Sequence, residues 1–527
     1  MNLLTDPWIP VLLKSGLSKN ICPWQVTENY ERDPIIKVDT LRPDFDGALV
    51  QFFIGLFQTI LAPEDDLFWK KLYYQPPSPQ FIKDVCADYV YVFNLDSEGP
   101  RFMQDLEQFE GEKKSVHELL LNEPGEQTLR ENKDVFIKRK EEWHMSLQNA
   151  VLALFTLQIN APSGGKGHRT SLRGGGPLTT LVVPDPSFNK NVTLWQIIWL
   201  NVLSSSTLNV HFPLEKTDMK NIFPWLAQTR TSETDIKTTY NDVHPLQQFW
   251  PMPRRIRFCF DDQINDISML SANKEKDFKE YITKNYGINY ESTTFRHPLS
   301  PYRKTKNEIY FPVHPEEKGL AYKNWLEFVY SANSSNIEPA KVVYRATKGN
   351  SVLKNIKTRL WIFGYDMDNM KARSWQEAHF PIYYLKEEGF SVYIDAIQGH
   401  LELAREAAFY LRTAIAKAWF SPKLRKTIQF IEKSFWMCTE SDFFKQAGSL
   451  HSLIENNSAF DSEEVVKLKV KWFDYIKNNV MSLFNTWVMS SNILYEDSNR
   501  IVQAKHYLKL CFVKAKKKFI PQESNAK

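Results

Sequence analysis

Hydrophobic residues recur along the chain with two different periods, and the place where one gives way to the other suggests how it is divided. Phe45, Ala48, Leu49, Phe52, Phe53, Leu56 and Ile60 return at helical spacing, with Pro43 and Asp44 before them and Pro63 after, which predicts a core helix. A second helix is expected over about 144–157, then a glycine-rich stretch, a strand from Leu178 to Val183 and an apolar run from Leu194 to Leu203. From about 245 to 395, aromatics and prolines separate short β-like runs such as Arg257-Phe258-Cys259-Phe260, Ile309-Tyr310-Phe311 and Leu360-Trp361-Ile362-Phe363. Beyond about 395 the strand signals fade. Four long amphipathic stretches follow, roughly 395–419, 424–453, 462–487 and 497–519. The first carries one stripe of Ile397, Leu401, Ala404, Ala408, Leu411, Ile415 and Ala418. Joined by short polar connections, the four predict an up-and-down bundle. The fold class expected is α+β: a large mixed α/β N-terminal domain over 1–390, then a C-terminal four-helix bundle over 391–527.

One interruption matters. The stretch from about Leu121 to Glu142 is polar apart from an island, Val135-Phe136-Ile137, flanked by Lys133, Lys138, Arg139 and Lys140. Such a pattern reads as a long loop whose apolar island docks elsewhere.

Composition narrows the classes. A chain of 527 residues exceeds what one hydrophobic core holds, and 43% hydrophobic with 14% aromatic residues is globular chemistry. The net charge of +4 from 66 basic and 62 acidic residues does not announce a nucleic-acid binder, so any basic surface is local. Five cysteines without a CxxC pair argue against a disulfide framework and a cysteine zinc site, and fit a reducing compartment. The N-terminus has no basic region followed by a long apolar one, and no window approaches about 18 uninterrupted apolar residues. A cytoplasmic protein without a membrane partner is expected.

Six of the 19 glycines fall between Gly164 and Gly176, in Ser163-Gly-Gly-Lys-Gly-His-Arg-Thr-Ser-Leu-Arg-Gly-Gly-Gly176, interleaved with Lys166, His168, Arg169 and Arg173. Glycine lets backbone approach another molecule closely, and the basic side chains favour a phosphate-bearing partner. Neither a P-loop nor a dinucleotide fingerprint is present, so ATP and NAD are unsupported. The bland alternative is a flexible surface turn before a strand. A second candidate is Gly364-Tyr365-Asp366-Met367-Asp368-Asn369-Met370-Lys371-Ala372-Arg373. It reads as a carboxylate pair for a divalent metal, as a polar strand-to-helix turn capped by Asp366 or Asp368, or as a wedge that pushes Asn369 and Met370 between stacked bases. Basic clusters at Arg254-Arg255-Arg257, Arg303-Lys304-Lys306, Lys354-Lys357-Arg359 and Lys514-Lys516-Lys517-Lys518 each read, taken alone, as a solvated face, and together as one collected nucleic-acid surface. The chain holds no HExxH, GxSxG or HD pair, and His297 reads as structural.

Three of these segments, the opening Asn2-Leu3-Leu4 to Trp8-Ile9-Pro10-Val11, the glycine segment and Gly364 to Arg373, resemble in order and spacing the CasA family, the large subunit of the type I-E CRISPR Cascade complex. The resemblance runs over the whole chain. It implies an N-terminal domain of unusual topology and a helical bundle, no catalysis and no cofactor. The implied partners are the other Cascade subunits, a CRISPR RNA, double-stranded target DNA and a separate helicase-nuclease. By the same resemblance, Gly164, Gly165, Lys166 and Gly167 form a loop reading the protospacer-adjacent motif from the minor groove. Arg169, Arg173, Lys371 and Arg373 are expected as supporting basic residues. Lys284, ahead of Phe295-Arg296-His297-Pro298-Leu299-Ser300-Pro301, matches the family's lysine finger, Asp368, Asn369 and Met370 its wedge, and Phe136 its contact to the 5′ handle of the RNA. The paired cysteines that some members carry are missing around Glu141 to His144, so no structural zinc is expected. The competing readings are a metal-dependent nuclease or phosphotransferase built on Asp366 and Asp368, and a purely structural scaffold.

Overall fold

The computed structural model describes residues 1–123, 130–132, 145–189, 191–208, 210, 214–215, 218–260, 277–331, 336–347, 353, 355–368, 370–419, 428–456, 462–489 and 498–520. Phe136, Asn369, Lys354 and the stretch from Glu141 to His144 lie outside them. The chain forms two compact units. One comprises Met1–Glu316, Asn336–Arg345 and Asn350–His379, and the other Glu317–Ser335, Ala346–Gly349 and Phe380–Lys527. Among the described residues, no helix is long and apolar enough to cross a membrane.

The first unit opens with three antiparallel strands, β1 (Ile9–Leu13), β2 (Ser18–Ile21) and β3 (Ile35–Val38), in the order β2-β1-β3. Its centre is helix α1 (Pro43–Ile60), the helix that the periodicity predicts. Proline at its first turn loses no hydrogen bond there, and Asp44 and Asp46 oppose the positive end of the helix dipole. The ring of Phe52 is met by Trp8, Phe53, Phe93, Phe102, Phe155 and Trp250, with centroids 5.4–6.2 Å away. Most of these pairs are edge-to-face, the arrangement that aromatic quadrupoles favour. Helix α2 (Leu147–Asn160) packs on α1 and is capped by the Ser146 hydroxyl, which accepts from the Asn149 N–H.

Two further sheets position the candidate residues. In one, β4 (Glu112–Ser115), β7 (Glu280–Lys284) and β6 (Arg255–Phe258) lie in the order β4-β7-β6, and Arg255 stands opposite Lys284. In the other, β5 (Thr179–Pro184) pairs antiparallel with β8 (Thr358–Asp368), which pairs in turn with β9 (Lys371–Ile382). The strand predicted at Leu360 to Phe363 therefore continues to Asp368 and turns straight into another strand. This corrects the strand-to-helix reading: no helix follows, so Asp366 and Asp368 cap none.

The basic cluster Arg254-Arg255-Arg257 is also corrected. All three residues are buried. The Arg255 Nε lies 2.6 Å from the Asp105 carboxylate, and Arg257 donates to the carbonyls of Asp105 and Leu106. Every residue of strand β6 is buried, so Arg255 and Arg257 lie in the interior, where the Asp105 carboxylate and backbone carbonyls satisfy them, while Arg254, directly before the strand, donates to the Pro162 carbonyl.

The second unit holds four long helices, α3 (Glu387–Ala418), α4 (Gln429–Asn456), α5 (Ser462–Met489) and α6 (Ser498–Phe519). The long first helix packs against each of the other three, and every residue of the predicted stripe is buried. It begins at Glu387, ahead of the predicted start near 395, where Glu387 and Glu388 favour the helix N-terminus. The short segment around Tyr322 joins this unit, its ring stacked on Phe443 at 4.4 Å and its hydroxyl 2.8 Å from that of Thr439.

Phe52→Ala removes the ring on which the aromatic cluster of the first unit converges. It is expected to lower stability by about 3–5 kcal/mol, read as a fall in the urea midpoint with the slope unchanged.

Candidate nucleic-acid interface

The glycine loop leaves the end of α2 and is held from below. Gln158 of that helix donates through Nε2 to the Arg254 carbonyl (3.0 Å) and accepts from the Arg254 N–H (3.0 Å), so helix and strand are tied backbone to side chain in both directions. The Arg254 guanidinium donates to the Pro162 carbonyl, directly before the loop. A Cβ on Gly164 would lie 2.9 Å from one of its nitrogens, so the bare backbone rests on the buried cation. Burial holds the guanidinium down to about 10, still far above neutrality, and it stays charged.

The other side of the loop is clamped too. The Gly167 carbonyl accepts from the Tyr286 N–H at 2.8 Å, and a Cβ there would sit 2.8 Å from that of Asn285. Gly165 and Gly167 have φ of +82° and +79°, in the left-handed region that favours glycine. Tyr286 shares it at +64°, an unusual conformation for a residue with a Cβ. Around Gly165 there is open space. Arg169 fixes the flank by donating to the Ser232 hydroxyl (2.8 Å) and carbonyl (2.9 Å) and to Asp235 (3.3 Å).

Lys284 ends β7 two residues before Tyr286, so the structure brings the lysine candidate and the glycine loop onto adjoining segments. Lys166 and Lys284 are both exposed, and among the described residues neither has a carboxylate partner. Two free ammonium groups beside a loop without side-chain bulk can meet a phosphate backbone.

The second glycine triplet has a different task. A Cβ on Gly176 would lie 2.7 Å from the Tyr365 carbonyl, so the segment that began at the loop ends against β8. Arg173 is fully buried, donating to the Thr179 and Ser300 hydroxyls (3.1 and 3.0 Å) and to Gln51 (2.7 Å). Its charge holds the turn and faces no solvent, which corrects its place among the supporting basic residues. At the tip of the β8–β9 hairpin, Asp368, Met370 and Lys371 are exposed, Met370 by 53%. Below them the Arg373 guanidinium takes both oxygens of the buried Asp366 carboxylate, at 2.9 and 2.7 Å. With both oxygens engaged, Asp366 is poorly suited to bind a cation. Among the described residues, no group of three or more His, Cys, Asp or Glu side chains stands close enough to hold a metal.

Sequence reasoning missed Tyr286 and the supporting role of Arg254. Asn285-Tyr286-Gly287 directly after a strand is the turn signal that marks the first. Nothing in the sequence distinguishes Arg254 from a surface arginine.

His168 closes the loop. Burial, then the neighbouring Arg254 charge, lowers its imidazole from 6.5 to about 4. It is neutral at pH 7, and the unfolded chain takes the proton first as pH falls.

The CRISPR-associated protein Cse1 family model matches residues 2–482. Among solved structures, the chain is similar to Thermobifida fusca Cse1 at 16% identity and a TM-score of 0.71, covering 98% of each chain. It is similar to Thermus thermophilus CasA (Cse1) at 15% identity and a TM-score of 0.67, again with 98% of each chain covered. A chain of a structure described as a CRISPR RNA-guided surveillance complex matches at 13% identity and a TM-score of 0.65, over 97% of this chain and 99% of that one.

Two outcomes follow from the clamped loop. Gly165→Ala meets only its backbone penalty of about 1 kcal/mol, whereas Gly167→Ala adds an overlap worth roughly 1–3 kcal/mol more; thermal unfolding of the two variants should rank them in that order. The contribution of His168 is intact above pH 6.5 and is lost as pH falls toward 4, so His168→Gln should flatten the stability profile in that window relative to the natural chain.

Proposed function

The chain belongs to the CRISPR-associated Cse1 family, and on that premise we propose that it is the non-catalytic large subunit of a type I-E CRISPR RNA-guided complex, binding double-stranded DNA at a protospacer-adjacent motif, opening the duplex there and recruiting a helicase-nuclease. Its partners in this reading are the other subunits, the CRISPR RNA, the target duplex and that nuclease.

One observation carries the reading. The Tyr286 N–H to Gly167 carbonyl bond joins an open glycine loop bearing Lys166 to the strand end bearing Lys284, leaving both lysines exposed and without carboxylate partners among the described residues. A loop without Cβ atoms fits the narrow minor groove, where A·T and T·A look alike, so tolerance of several motif sequences is expected. Two lysines on either side would take the flanking phosphates. The Met370 end of the hairpin, with Asp368 and Asn369, is the proposed wedge, because an exposed apolar tip can enter a base step and unstack it. Phe136 is proposed as the contact to the RNA handle.

The experiment uses the assembled complex loaded with its RNA. Replacing Gly165 and Lys166 by Glu should abolish motif-dependent duplex binding while the subunits still co-purify. Lys284→Ala should leave a complex whose affinity falls less steeply with salt, the logarithmic slope smaller by about one. Unchanged duplex binding in both would leave the scaffold reading instead.

A further inference from the structure

A cavity of about 480 Å3 opens in the first unit between the β5–β8 strands and helix α1, well below the hairpin tip. Small-molecule sites span roughly 300–1,000 Å3. Val50, Val183 and Ile197 give it aliphatic walls, and the indole of Trp361 gives it an aromatic one. The indole N–H is already satisfied by the Glu377 carboxylate at 2.9 Å, and the ring runs parallel to that of His379 at 5.9 Å. What lines the cavity from Trp361 is therefore ring surface.

Two polar groups are left with bonding capacity. Asp46, in the first turn of α1, spends one oxygen on the Thr40 N–H (3.0 Å) and hydroxyl (2.7 Å), and its other oxygen accepts from nothing among the described residues. Burial raises this carboxyl against the opposing pull of its two Thr40 bonds and of Lys37. Arg359 donates once, to the His379 carbonyl at 3.3 Å, and its other N–H groups have no partner among the described residues. Lys37 adds a half-exposed ammonium near Asp39.

An acceptor, a flat aromatic wall, aliphatic sides and a cation suit one kind of ligand. We propose that this cavity binds a single nucleobase, its N–H donors on the free Asp46 oxygen, its ring beside Trp361 and its phosphate toward Arg359 and Lys37. A fatty or aromatic carboxylate with its anion at Arg359 and Lys37, or a purely apolar ligand, would bring no donor to the free Asp46 oxygen and would cover it unpaired, at the cost of a desolvated acceptor. The choice of a nucleobase over another flat N–H heterocycle rests on the nucleic-acid reading above; the hydrogen-bonding pattern does not. The base comes either from a free nucleotide or from an unpaired position in a strand.

The full chain is titrated calorimetrically with GMP, AMP, CMP and UMP and with short single-stranded oligonucleotides. Saturable binding is expected, with the amine-bearing bases ahead of uracil. Asp46→Asn and Ile197→Trp, the second filling the cavity from a half-buried position, should each weaken it by about tenfold or more, the worth of one hydrogen bond to a charged group. Equal affinity for nucleotide and oligonucleotide identifies a free ligand, and tighter oligonucleotide binding identifies a base within a strand; both uphold the site. Absence of saturable binding by the unaltered chain overturns it, as does binding indifferent to both substitutions. Neither result touches the duplex reading, which is measured on the assembled complex with motif-bearing DNA.

Discussion

The candidate interface depends on a buried cation that has no carboxylate partner among the described residues. Arg254 is fixed at its backbone by Gln158, donates to Pro162 and lies against the bare Cα of Gly164. Moving it would release three things together: the end of α2, the start of β6 and the floor of the glycine loop. Arg255, the next residue, has its charge matched by Asp105, whereas Arg254 keeps an uncompensated positive field directly beneath the loop. In a low-dielectric interior such a field reaches further than that of a hydrated surface lysine. The loop thus combines an open backbone with a fixed positive potential, and Lys166 and Lys284 add mobile charge at its edges.

From that hold the rest of the site follows by short connections. The Gly167–Tyr286 bond carries the arrangement to the end of β7, and the close approach of Gly176 to Tyr365 carries it to β8. One segment, Ser163 to Gly176, therefore spans from the end of β7 to the β8–β9 hairpin. Its two glycine clusters differ in kind: the first faces open space at Gly165, and the second is packed into the protein around the buried Arg173.

Much of this was legible in the order of residues, and the failures have physical causes. The core helix was read correctly because periodicity, proline and first-turn acids agree at Pro43 to Asp46. The first of the C-terminal helices was legible because its stripe from Ile397 to Ala418 is long and continuous. Of the readings open for the hairpin, the cap at Asp366 is excluded by its place inside β8 and by its Arg373 partner seven residues on, neither of which local sequence reveals. Nothing local to Arg254, Arg255 and Arg257 points to a distant acceptor such as Asp105 or Pro162, so their burial is not legible in the sequence. The glycine segment reads in the sequence as a close-approach loop; its first half leaves open space at Gly165, and its second half packs against the protein at Tyr365 and Arg173.

The hairpin also has a mechanical character. Strand β8 is bonded to β5 from Thr358 to Phe363, and the Phe363 ring is pressed against Gly47 of the core helix, so this length is clamped. Beyond it, the five residues to Asp368 run about 17 Å at roughly 3.3 Å per residue, and Gly364, Tyr365 and Asp366 among them are still packed in the protein. The Asp366–Arg373 pair braces its two rails near the free end. The hairpin is thus cross-tied near its end and seated at its base on the core helix through Phe363 and Gly47. If the proposed wedge acts at this tip, a push against it meets braced strands instead of a slack loop.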